Sequence, residues 1–139
     1  MVGNSPKIGR DFLRLGTAIL RKGILNPALR ELAILRVGNL AQASYEWTQH
    51  VPIGLDAGLS QDQIDNINKW KDSSLFNDKE RAVLRYTDEI VNNIRVTDET
   101  FSQIKNFFND QEIVELTIAI GYYGMVSRLL EALQVELEN

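Results

Sequence analysis

The sequence contains one histidine, His50, within the stretch ASYEWTQHVP at residues 43–52. If this stretch is helical, Glu46 lies four residues earlier and on the same helix face. A carboxylate in that position can orient the imidazole ring and raise the pKa of His50, giving a proton-transfer pair near neutral pH. A second carboxylate, Glu31, lies among apolar residues, where an unpartnered charge would be costly. We therefore predict that Glu31, Glu46 and His50 form one cluster.

The neighbours of this pair also carry information. Tyr45 and Trp47 flank Glu46 and are candidates to line a substrate pocket. Pro52 has no N–H, so within a helix it would leave the Thr48 carbonyl without its usual partner. A break in the hydrogen-bond ladder beside the only histidine is a local departure of the kind that functional sites show.

These residues also have ordinary structural interpretations. An isolated histidine is often a surface residue or a hydrogen-bonded core residue. Glu46 with His50 is a common helical pair, worth only a few tenths of a kcal/mol. Tyr45 and Trp47 also fit as plain core residues, which is the favoured interpretation for Trp47, and Pro52 also fits the first turn of a helix that begins later.

The position of Glu31 leaves further possibilities open. Its carboxylate can pair with Arg30 or Arg36 instead of His50. If the chain turns at Ala43, Glu31 lies about 18 Å and His50 about 10 Å along their helices, at ~1.5 Å per residue. A simple tight hairpin would not align them, so crossing helices, a later turn or a bridging water would be required.

The elements that must position the cluster are helices. Apolar residues recur at helical spacing along the chain, and no segment shows sustained alternation of period two. The pattern predicts one all-α domain over residues 1–139, a bundle of about six to seven helices. Expected core stripes are Ile8, Phe12, Leu15, Ile19 and Leu20 in the first helix, and Ala82, Val83, Tyr86, Ile90 and Ile94 in a later one.

Capping and stop residues predict where each helix begins and ends. The first predicted helix is stopped by Gly23, and the second is opened by Asn26 and Pro27. The third runs from Tyr45 to Ala57, capped by Ser44 and stopped by Gly58, and the fourth runs from the Ser60/Gln63 capping box to near Trp70. The fifth runs from Asp78 to Asn93, capped by Asn77 with Glu80; the sixth is capped by Thr97 and runs through Phe108; and the seventh runs from Gln111 to Glu138.

The last predicted helix is apolar on several faces. Gly121 and Gly124 lie three residues apart within it, a spacing that lets another helix approach closely. A helix buried so fully in a small chain indicates packing between copies as well as within one, so we predict a homo-oligomer.

Composition excludes several classes of function. The net charge of the 139 residues is −4, which disfavours a basic face for nucleic acid. The beginning, MVGNSPKIGRD, has no apolar signal region, and no uninterrupted apolar run could span a bilayer. We therefore expect a cytoplasmic protein. The chain has no cysteine, which excludes disulfides, thiolate metal sites and thiol nucleophiles, and one histidine excludes a metal site with two histidines from one chain.

The segment RELAILRVGNLAQASYEWTQHVPIGLDAGLSQDQI, residues 30–64, resembles the carboxymuconolactone decarboxylase family, which also contains the alkylhydroperoxidase D proteins. The segments LFNDKERAVLRYTDEIV and ELTIAIGYYGMVSRLLEAL extend the resemblance over nearly the whole chain. It implies an all-α fold and assembly as a trimer or hexamer.

The peroxidase branch of this family has a Cys-x-x-Cys pair, a histidine four residues after the second cysteine, and a glutamate nineteen residues before that histidine. Placed on this sequence, the histidine is His50 and the glutamate is Glu31. The cysteine positions hold Ala43 and Glu46. Hydroperoxide reduction by thiols is therefore not available to this chain.

Glu46 at the second cysteine position is similar to the decarboxylase branch, which needs neither a metal nor an organic cofactor. The resemblance implies a decarboxylase-like lyase for a small unsaturated, carboxylated lactone. His50 would act as the acid, with Glu31 or Glu46 holding its tautomer and charge. Arg36 is the candidate for binding the substrate carboxylate. The alternatives are a non-catalytic oligomeric scaffold or small-ligand binder, and a metal site formed by Glu31, Glu46 and His50.

Overall fold

The structure, a computed structural model, describes residues 2–135. These residues form α-helices and short 3-10 segments, with no strand among them, which confirms the predicted all-α fold. The α-helices are α1 (Pro6–Arg21), α2 (Pro27–Ala41), α3 (Ser44–Ala57), α4 (Gln61–Asp65), α5 (Asp78–Asn93), α6 (Asp98–Phe107) and α7 (Asp110–Ala132), and the 3-10 segments are Val2–Asn4 and Ile67–Asp72.

Helix α2 lies at the centre of the bundle and packs against α3, α5 and α7. Its sequence is mostly apolar, and every residue from Glu31 to Gly38 is buried. One side of α2 joins the larger apolar cluster, formed with α5, α6 and α7. The other side joins a second cluster, which contains Trp70 and reaches Phe76 and Leu84.

Helix boundaries agree best with the sequence where a capping side chain is present. Ser60, Asn77 and Asn109 each accept a hydrogen bond from the backbone N–H three residues on, and each completes a capping box. Helix α5 begins and ends at the predicted residues. Gly58 stops α3 in the left-handed region, with φ of 115°.

Two predicted core residues of the stripes are in fact highly exposed. Ile8 is 73% exposed, because only the later part of α1 packs on the bundle, through Phe12, Ile19 and Leu20. Ile94 is 89% exposed, because α5 ends at Asn93 and the chain then turns away. Leu15 is also exposed.

The ends of α1 and α7 differ from their predicted positions. Gly23 does not stop α1, which ends at Arg21; Gly23 instead leaves space for Glu115, whose Oε1 would lie 2.1 Å from a Cβ at that position. Helix α7 ends at Ala132 rather than at Glu138, and Glu138 itself lies outside the described residues.

Helix α7 is long and apolar enough to cross a membrane by length and composition alone. In the structure it is a core helix, which packs on α2 through buried residues that include Leu116 and Ile120. Its core position accounts for its apolar composition.

Candidate active site

The α2–α3 hairpin carries the candidate site, and Gly54 lets its two helices come close. The chain turns at Gln42, which is in the left-handed region with φ of 53°. A Cβ at Gly54 would lie 3.2 Å from Leu35 Cδ1 and 3.7 Å from Glu31 Cβ, so no larger side chain separates the helices there. This close approach brings the Glu31 side chain within reach of His50 without a bridging water.

His50 lies between two carboxylates, one on each side of its ring. Nδ1 is 2.7 Å from Glu31 Oε1, and Nε2 is 3.3 Å from Glu46 Oε2. All three residues are buried, and the Glu31 side chain is fully so. The structure therefore brings together the three residues that the sequence placed in one cluster.

Arg30 extends this cluster by one charge. Its Nε donates to Glu31 Oε2 at 2.8 Å, and its Nη1 donates to the Leu20 carbonyl at 3.1 Å. Glu31 thus uses one oxygen for Arg30 and the other for His50, so two of the pairings considered from the sequence occur together. The result is an alternating chain of charges: Arg30, Glu31, His50 and Glu46.

The two carboxylates keep His50 protonated at neutral pH. Burial alone would lower the pKa of His50, but hydrogen bonds and charge from Glu31 and Glu46 outweigh burial and raise the pKa from 6.5 to about 9. Both ring nitrogens then carry hydrogen: Nδ1 donates to Glu31, and Nε2 faces Glu46 at ion-pair distance. The arrangement is that of a buried acid whose proton on Nδ1 is held more tightly than its proton on Nε2.

Tyr123 of α7 forms an aromatic wall beside the histidine. Its ring meets that of His50 edge-on, with centroids 4.7 Å apart and planes at 81°. Burial, together with the charges of Glu31 and Glu46, raises the pKa of Tyr123, so its hydroxyl stays protonated at neutral pH. Sequence reasoning missed Tyr123; the available signal was a pair of tyrosines inside the most apolar helix.

Tyr122 completes the packing behind this wall. Its ring lies edge-on to Tyr123, and its hydroxyl donates to the Phe12 carbonyl at 3.0 Å. Gly16 makes room for that hydroxyl, since a Cβ there would lie 2.5 Å from it. This hydrogen bond attaches α1 to α7, the helix whose Tyr123 packs against His50.

The other residues predicted around the cluster are Trp47, Tyr45 and Pro52, and each has different surroundings. Trp47 packs partly against the smaller apolar cluster and lines a cavity of about 290 Å³ at the α2–α3 turn, together with Ala43. Tyr45 is half-buried. Pro52 lies inside α3, not in the first turn of a later helix, so the break in the hydrogen-bond ladder next to His50 is real.

Arg36 is engaged elsewhere in the core. Its guanidinium forms a two-pronged ion pair with Asp88, with Nε–Oδ1 at 2.6 Å and Nη2–Oδ2 at 3.0 Å. Its Nη1 donates to Asn39, and Trp70 Nε1 donates to the same Asp88 carboxylate. With these donors occupied, Arg36 joins α2 to α5, and no contact brings it to the histidine cluster.

The cluster is not arranged as a metal site. Glu31 and Glu46 face different nitrogens on the two sides of the ring, so their oxygens do not converge on one point. Among residues 2–135, no group of three or more histidine, aspartate or glutamate side chains has a metal-binding arrangement.

Together, the fold and site define a class of protein: an all-α bundle in which a buried histidine is held between two carboxylates and no thiol is present. The chain belongs to the carboxymuconolactone decarboxylase family, whose model matches residues 6–89. A curated relative, the uncharacterized protein YdfG of Bacillus subtilis (strain 168), is 20% identical over 111 residues, which are 78% of this chain and 76% of that protein.

Solved structures share the fold. A protein of unknown function from Agrobacterium tumefaciens, for which an AhpD-type antioxidant defence role has been suggested, superposes with a TM-score of 0.90 at 23% identity, over 99% of this chain and 95% of that one. The debrominase Bmp8 gives 0.83 at 17% identity, over 99% and 74% of the two chains. A peroxidase-related AhpD core protein from Ralstonia eutropha JMP134 gives 0.85 at 15% identity with the same coverage.

Proposed function

We propose that this protein is a cofactor-independent lyase, similar to a decarboxylase, for a small unsaturated and carboxylated lactone or a related compound. The observation that carries the proposal is the His50 imidazolium held between Glu31 and Glu46. Such a site holds a proton in a water-poor environment, ready for delivery to a carbon atom.

The proposed reaction needs one proton and no oxidant. The bond between the substrate carbon and its carboxylate breaks, carbon dioxide leaves, and the electron pair moves into the unsaturated lactone. His50 then gives a proton to carbon and is reprotonated from solvent. Because its pKa is about 9, about one ring in a hundred is neutral at pH 7, so nearly every molecule starts in the acid form.

The two carboxylates have different proposed roles. Glu31 makes the shorter contact, 2.7 Å to Nδ1, and keeps the proton there after transfer, which fixes the tautomer. Glu46 makes the longer contact, 3.3 Å to Nε2, so that proton is the easier one to redirect to a substrate. Glu46 occupies the second cysteine position of the peroxidase branch, where a carboxylate supports acid–base chemistry in place of redox chemistry.

The proposal does not include the thiol chemistry that the names of some structural neighbours suggest. Some of those proteins are described as peroxidase-related or as suggested antioxidant proteins. This chain has no cysteine, so it has no thiol to oxidise.

The decisive experiment follows carboxymuconolactone and related unsaturated lactone carboxylates by NMR in deuterated water. Turnover would release carbon dioxide and place one deuterium on the product carbon. His50→Gln should abolish turnover, and Glu46→Gln should lower kcat more than it changes KM. Asp56→Asn, which removes an exposed carboxylate from the same helix, is the matched control and should keep full activity.

Turnover that persists in a folded His50→Gln protein would refute the assignment of His50 as the acid. Circular dichroism of each variant establishes that the helices are intact. If wild-type protein binds the compounds without turnover, the second candidate function applies.

That second candidate is a non-catalytic ligand-binding or scaffold protein of the same family. The observation that favours it is the engagement of both ring nitrogens by carboxylates in a ring only 5% exposed. Such a cluster can serve as a buried structural ion network.

We also propose that the chain assembles as a trimer or hexamer. Support comes from large apolar side chains that one chain leaves exposed on α7, namely Val114, Ile118 and Met125. Light scattering after gel filtration measures the assembly directly, and a monomer at micromolar concentration would refute it.

A further inference from the structure

A cavity of about 200 Å³ opens where α1, the loop before α2, and α7 meet. Its wall is mainly apolar, with Leu15, Ala18, Ile19, Leu25 and Ile118 as the apolar side chains. An engineered apolar cavity of about 150 Å³ is enough to hold benzene, so this space suits a ligand with one small ring.

Three charged residues also belong to this wall: Arg30, Lys22 and Glu115. Glu115 is already committed, because its Oε1 accepts from the Ile24 and Leu25 amides at 2.7 and 3.0 Å, and its Oε2 accepts from Gln111. Three of its roughly four lone-pair positions are thus occupied, and they hold the loop in place.

Arg30 has donor capacity to spare. Its Nε and Nη1 have partners, whereas Nη2 has none within residues 2–135. Its side chain is only 12% exposed, so the remaining N–H groups lie where an anion would meet little competing water. Lys22 is exposed and adds a second positive charge to the wall.

We propose that this cavity binds a small monoanion with one ring, its carboxylate on Arg30 and its ring against the apolar wall. A few polar groups that fix orientation inside an apolar pocket are the usual composition of a small-molecule site. The site is defined by binding alone, so it would stand even if the protein had no lyase activity.

Occupancy of this site is transmitted to His50 through the charge chain. Glu31 contacts both Arg30 and His50. An anion that pairs with Arg30 weakens the Arg30–Glu31 ion pair, so the Glu31 carboxylate interacts more strongly with His50. The ring signals of His50 should therefore move when the cavity fills. Since the chain has one histidine, these signals need no assignment.

The test uses benzoate as the probe and benzamide as its neutral counterpart, with binding measured by calorimetry and by NMR of the His50 ring. Benzoate should bind at least about tenfold more tightly than benzamide, because only benzoate pairs with Arg30. Arg30→Gln should weaken benzoate binding about tenfold or more. Arg95→Gln removes an exposed arginine outside this wall and should leave binding unchanged.

A second variant keeps the proposal testable if Arg30→Gln disturbs the fold. Ala18→Leu fills the apolar part of the cavity with a residue that favours helix, leaves all charges in place, and should also weaken benzoate about tenfold. Equal binding of benzoate and benzamide, or unchanged benzoate binding in folded Arg30→Gln or Ala18→Leu, would overturn the proposal. Absence of benzoate binding to the wild-type protein would overturn it as well.

Discussion

The stability of this protein should fall by about 3 kcal/mol between pH 6 and pH 9 because of His50 alone. The pKa of His50 is raised to about 9 in the folded protein, against 6.5 in the unfolded chain. The difference of about 2.5 pKa units corresponds to about 3 kcal/mol. Because the folded pKa is the higher one, this stabilisation is fully present below about pH 6.5 and is lost as the pH rises through 9.

Urea unfolding followed by circular dichroism at several pH values measures this effect. The wild-type protein should lose stability steadily across the range, whereas His50→Gln should lack the loss of about 3 kcal/mol that the histidine causes. Subtracting the two curves isolates the histidine from other groups that titrate in both proteins. Parallel curves for the two proteins would show that Glu31 and Glu46 do not hold an imidazolium, and the acid assigned to the proposed reaction would be lost with it.

Three further substitutions test the elements that position the site, each by urea unfolding. Asp88→Asn should lower the free energy of unfolding by about 3 kcal/mol, because it leaves the buried Arg36 charge unpaired. The control Asp11→Asn, in an exposed ion pair, should lower it little, and equal losses would contradict this reasoning. Gly58→Ala should destabilise by about 1 kcal/mol, since φ is 115°, and no loss would mean that the stop of α3 relaxes. Ile94→Gly should stabilise by about 1 kcal/mol, because a β-branched residue with φ of 64° is strained, and a loss would refute that strain.

Local sequence signals were sufficient for the helices that have side-chain caps. Asn77 and Glu80 define the start of α5 by hydrogen bonds that span three residues, so no tertiary information is needed. The end of α1 could not be found in this way, because Gly23 leaves space for the Glu115 side chain. Glu115 lies on α7, far away in the sequence. Ile94 was misplaced for a related reason: the periodicity of α5 continues one residue beyond the point where the backbone turns.

The candidate site was predictable in its members more than in its geometry. His50 stood out as the single histidine, Glu46 followed from helical spacing and Glu31 from its apolar neighbours, and the family resemblance added support for His50 and Glu31. Spacing along a simple hairpin argued against contact between Glu31 and His50, because it could not include the close approach that Gly54 allows. Arg36 was assigned from charge alone, and its partner Asp88 is 52 residues away, a pairing that only the tertiary structure reveals.

The alternation of charge explains how three buried ionisable side chains and the nearly buried Arg30 can lie together. Arg30 and His50 carry positive charge, and Glu31 and Glu46 carry negative charge. In the order of their contacts, Arg30, Glu31, His50 and Glu46, each side chain meets one of opposite sign. Removing any one member leaves an uncompensated charge in the interior, which costs several kcal/mol. Well-packed apolar side chains could often replace a buried ion cluster with no loss of stability. Stability alone therefore does not require this arrangement, whereas the proposed proton donor uses every part of it: Glu31 fixes the tautomer, Glu46 holds the proton that leaves, and Arg30 keeps the whole cluster neutral.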